Sequence, residues 1–204
     1  MARIDLAVQM REMLRAEYFK WTNAGEGMAS EEYCRLWPKT VEIPQEYLGR
    51  FEHALLVDLT IPLEKMKMNP NVFINTSPNA RVDLVRPPTD ISDRNLTRYV
   101  AFVHLGKRHE CRLPEECRLS FSPDEVGLTV VEGFHLPLQH PGELRNRCVE
   151  LVGSHYPRAT EESPDGEFYL DWKSSMPAFG LDFRPTREQR TGPVSRGVRV
   201  IPVT

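Results

Sequence analysis

Long apolar runs are missing from this chain. No stretch approaches the ~18 consecutive apolar residues of a membrane-spanning helix, and Met1, Ala2, Arg3, Ile4, Asp5 and Leu6 do not follow the basic-then-apolar layout of a secretory signal. The expectation is a soluble, cytoplasmic protein with no membrane partner. Cysteine is scarce as well. Four residues, Cys34, Cys111, Cys117 and Cys148, are too few and too irregularly spaced for a disulfide framework in 204 residues, so free thiols are expected. An excess of one charge is also lacking: the net charge of -3 excludes a globally basic nucleic-acid binder and an acidic tail protein. Finally, the common catalytic signatures do not occur. There is no glycine-rich phosphate loop, dinucleotide fingerprint, Gly-x-Ser-x-Gly elbow or His-Glu-x-x-His helix. Ser154 and His155 are neighbours, but successive side chains of an extended chain point to opposite faces and make no dyad unaided. Cys34 falls inside a short helical stretch, where nothing activates a thiol.

What is present suits one globular unit. With 40% hydrophobic residues the chain can bury a single core. Residues 1–50 read as a helical N-terminal region. Ile4, Ala7, Val8, Leu14, Tyr18 and Trp21 recur near helical spacing, with Arg11 interrupting; Gly25 and Gly27 mark a loop; Ser30 is placed to N-cap a short helix that ends before Pro38.

The period then changes. Residues 54–61 are almost continuously apolar, as in an interior strand covered on both faces, and Pro62 closes them. Shorter extended pieces at 72–74 and 81–85 lie between prolines, and 17 prolines spread along the chain imply many short connections. Residues 98–105 and 108–113 flank Gly106 and Lys107, a two-residue connection suited to a hairpin. That register puts Phe102, His104, His109 and Cys111 on one side, toward the core. Residues 148–152 and 168–172 read as further strands, and 198–203 as an edge strand because Pro202 cannot donate to a ladder. The fold class expected is α+β: an N-terminal helical segment, then a mixed, mostly antiparallel sheet with one or two packed helices. The chain divides into a helical region 1–50, an α+β core 54–181 and a basic tail 182–204.

Residues 128–154 are the most strongly specified stretch. Thr129 and Glu132 form a capping box, in which each side chain serves an orphan backbone N–H at a helix start, and Pro141 with Gly142 is expected to stop that helix. Taken in order, the apolar strand from Tyr99 to Leu105, a glycine turn, Leu128, Thr129, Glu132 and Gly133, then Gln139, His140, Pro141, Glu143 and Leu144, and finally Cys148, Gly153 and Ser154 resemble an uncharacterised family of small bacterial proteins. The likeness runs from His53 to Ser154. It implies a recurring fold and no activity, since members of that family have none assigned. Pro137 departs from the family's smoother helix, and the chain after Ser154 matches loosely.

Three groups carry candidate chemistry. His104, His109, Cys111 and Cys117 hold the four imidazole and thiolate groups of a tetrahedral zinc site, the one cofactor suggested. Their spacing is that of no known zinc module, and the competing account is two hydrogen-bonded histidines and two thiols packed as small apolar residues. Asp165, Asp171 and Lys173 have the residue types of a metal-dependent nuclease site. Asp165 with Gly166 is also a strong turn signal, and the five residues between the carboxylates leave little room to bring them together. Arg184, Arg187, Arg190, Arg196 and Arg199 give residues 182–204 a charge of +3 against -6 for the rest, a candidate contact for phosphates, nucleic acid or an acidic partner. The competing account is a segment paired with the protein's own acidic surface. The function expected is that of a non-enzymatic binding, regulatory or accessory protein with a protein partner. The alternative is a metal-dependent hydrolase or nuclease.

Overall fold

The structure is a computed structural model and describes residues 2–51, 53–67, 75–76, 89–105, 114–144, 148–156, 166–173, 176–182 and 191–203. Strand β1 (Arg3–Asp5) precedes helix α1 (Ala7–Arg15), and helix α2 (Ser30–Leu36) leads into strand β2 (Thr40–Glu42). These two strands pair antiparallel, with Arg3 opposite Glu42 and Asp5 opposite Thr40. The N-terminal region is therefore helical but bracketed by a small ladder. Its first residues extend because a strand 35 or more positions away offers them hydrogen bonds, which helical periodicity cannot reveal. Ser30 is the first residue of α2 and not its cap; Ala29 takes the capping position with no side-chain bond.

Strand β3 (His53–Asp58), short helix α3 (Leu63–Lys67), strand β4 (Asn75–Thr76) and helix α4 (Thr89–Ser92) follow, then strand β5 (Arg98–His104). Residues 54–58 and 99–103 are all buried, as continuous apolar runs covered on both faces should be. Helix α5 (Pro114–Ser120) and strand β6 (Glu125–Gly127) lead to three single-turn helices, α6 (Val130–Gly133), α7 (Leu136–Gln139) and α8 (Pro141–Leu144). The capping box at Thr129 and Glu132 is present in both directions. Pro137 has no N–H to offer the carbonyl of Gly133, so α6 and α7 separate. The segment does end before Pro141, but Pro141 also opens α8, where its missing N–H costs nothing.

Strands β7 (Cys148–Tyr156), β8 (Gly166–Lys173), β9 (Met176–Asp182), β10 (Thr191–Pro193), β11 (Ser195–Gly197) and β12 (Ile201–Pro202) complete the chain. One sheet has the order β12-β5-β11-β6, with β3 on the other side of β5; all of these pairings are antiparallel. The second has the order β10-β7-β8-β9-β4, antiparallel at its centre and parallel at both margins. Residues 191–197 belong to both sheets. Val194 donates to the Glu150 carbonyl and accepts from Leu128, and Gly153 donates to the Leu128 carbonyl. A Cβ on Gly153 would lie 2.2 Å from the Gly127 oxygen, so only glycine lets the two backbones approach this closely. Gly133 is pressed in the same way against the Leu151 side chain, and Ser154 Oγ accepts from the Val130 N–H at the start of α6. A hydrophobic cluster from Leu6 to Val200 fills the interior. Among the described residues no helix is long and apolar enough to cross a membrane.

Candidate functional site

Polar residues recur at helical spacing inside the stretch 128–139, all of which is buried: Thr129, Glu132, His135 and Gln139. A polar stripe hidden in an apolar segment inverts the usual amphipathic helix. The partner of its second half, His135 and Gln139, is the outer edge of β3. Strand β3 pairs with β5 on one side only, leaving the groups of Ala54, Leu56 and Asp58 directed away from the sheet. Gln139 meets Leu56 twice, its Oε1 accepting the N–H at 2.8 Å and its Nε2 donating to the carbonyl at 2.7 Å. His135 Nε2 accepts the Asp58 N–H at 3.1 Å, and His140 Nε2 donates to the Ala54 carbonyl at 2.8 Å. Three side chains thus do for β3 what a neighbouring strand would, and the edge is closed without a further backbone.

Because His135 Nε2 accepts, its proton sits on Nδ1, which donates to the Val131 carbonyl at 3.2 Å. Complete burial, with the Tyr18 ring edge-on at 5.9 Å, lowers its pKa from 6.5 to about 4, against the opposing pull of Asp58. The imidazole is neutral.

Two buried carboxylates anchor opposite faces of β5. Asp58 accepts from Thr60 Oγ1 at 2.6 Å, Thr22 Oγ1 at 3.0 Å, Arg98 Nε at 3.1 Å and Tyr33 OH at 3.2 Å. Burial, then the Asp58 charge and hydrogen bond, hold the Tyr33 phenol well above its ordinary pKa. On the other face Glu132 accepts from Thr129 Oγ1 at 2.8 Å, Tyr99 OH at 2.9 Å and Arg196 Nε at 2.5 Å. Arg196 reaches on to Asp90 in a bidentate pair at 2.7 and 2.9 Å. Burial alone would lower the Arg196 pKa; Glu132 and Asp90 outweigh it, and the guanidinium stays charged. Glu132 therefore does more than cap a helix, because it ties α6, β5 and β11 together.

The residues singled out for chemistry scatter. His104 ends β5, half-buried, and Cys117 is fully buried in α5, while His109 and Cys111 lie outside the described residues. Among the described residues no group of three or more His, Cys, Asp or Glu is arranged to hold a metal. Asp165 also lies outside them; Asp171 and Lys173 are on β8, opposite Ala178 and Met176. Arg184, Arg187 and Arg190 are outside as well. Arg196 is fully buried, so it is an internal anchor and not part of a basic surface, and Arg199 is exposed with Glu46 at 3.4 Å. Residues 191–203 are strands and not a free tail. The physical reason is legible afterwards: Arg196 is two residues from Val194 in an extended run, so it shares that buried side.

A cleft of about 560 Å³ opens in the N-terminal region, lined by Leu6, Ala7 and Met10 of the α1 start, Cys34 and Trp37 at the end of α2, and Pro38. Asp5, Lys39 and Thr40 complete its wall. The β1–β2 ladder builds it by bringing the two helix ends together, with the Leu6 N–H on the Lys39 carbonyl at 3.0 Å. Pro38 forces Trp37 out of helical geometry, and its ring turns into the core. The Trp37 indole N–H is buried with no acceptor among the described residues. Burial, then Glu31, raises the Cys34 thiol pKa, so the thiol is not an activated nucleophile. No protein-family model, curated protein or solved structure matches the chain.

Proposed function

We propose that this is a cytoplasmic, non-enzymatic binding protein, regulatory or accessory, that acts through contact with a protein partner. The observation that supports the reading best is the use made of the buried polar groups. Asp58, Glu132, His135 and Gln139 direct their hydrogen-bonding capacity at this protein's own backbone and side chains, which is how a scaffold is built. The N-terminal cleft is walled mostly by apolar side chains, the surface on which partners anchor. We also propose kinship with the uncharacterised bacterial family. Thr129, Glu132, Gly133, Gln139, Gly153 and Ser154, which carry that resemblance, are the residues that seat α6 and α7 on β3 and β7.

Purification of the protein at its native level, with the mass measured by light scattering and metal by elemental analysis, tests the reading. A complex of fixed stoichiometry that re-forms from separated components is expected. A lone protein that retains stoichiometric zinc, or that cleaves plasmid or RNA with Mg²⁺, overturns it in favour of a metal-dependent hydrolase or nuclease.

A further inference from the structure

We draw no further inference here: the strongest candidate, the N-terminal cleft between the start of α1 and the end of α2, has one lysine and one aspartate in its wall with Leu6 and Trp37 already buried, and nothing in the structure shows what covers it.

Discussion

Residues 129–140 and the N-terminal cleft both set polar groups beside apolar walls, yet they do so with opposite results. Around β3 the carbonyls and N–H groups of an open strand edge are met by Gln139, His135 and His140, and the carboxylates of Asp58 and Glu132 have their donors in place. At the cleft, Lys39 has no ion-pair partner among the described residues, and the Trp37 N–H has no acceptor there. Full internal satisfaction of buried polar groups marks a structural element. The difference teaches that a conspicuous motif is not by itself a site: the histidines, glutamine and acid of the strongly specified stretch are used up in closing the fold.

The comparison can be broken at several points, the most sensitive being Glu132. Glu132→Ala leaves the buried Arg196 with Asp90 as its one remaining carboxylate among the described residues and removes the acceptor of Tyr99. A loss of about 3–5 kcal/mol in urea unfolding is expected, and a loss under 1 kcal/mol would show that the pair contributes little. Acid tests His135 in the same assay. The folded state holds its imidazole neutral to about pH 4, whereas the unfolded chain protonates near 6.5. Below 6.5 the unfolded state binds more protons, so stability that is complete above 6.5 drains away as pH falls toward 4, by about 3 kcal/mol. A His135 ring resonance titrating near 6.5 in the folded protein contradicts this. Gln139→Met keeps the volume but strips both bonds from Leu56, and a cost of about 2 kcal/mol is expected. Lys39→Glu is the control at the other region. It is expected to change stability by less than about 0.5 kcal/mol, because an exposed residue without an ion pair has little to lose.

Much of the scaffold could be read locally. Apolar runs placed β3 and β5, the Thr129 and Glu132 spacing gave a capping box that is present, and Pro202 marked a margin strand. Features fixed by distant pairing could not be read. Arg3 to Asp5 extend because residues 40–42 lie alongside, and Arg196 is buried because residues 191–197 cross between sheets. Arginine spacing alone cannot separate a basic surface from an internal anchor. One signal was available and unused: Thr129, Glu132, His135 and Gln139 recur at helical spacing within an otherwise apolar stretch, which points to a polar partner inside the core. The cleft left no such trace, since its walls come from two segments, residues 5–10 and 34–40, that the β1–β2 ladder brings together.

Amide hydrogen exchange at Leu56 and Asp58 tests most directly whether side chains replace a strand at the edge of β3. Both amides face away from β5 and are bonded only by Gln139 and His135. They should exchange as slowly as the most protected amides of β5, at the rate of global unfolding, and Leu56 should speed up selectively in Gln139→Met. Rapid exchange of Leu56 and Asp58 in the unaltered protein would show the edge to be open, and the polar stripe would then be free for another role.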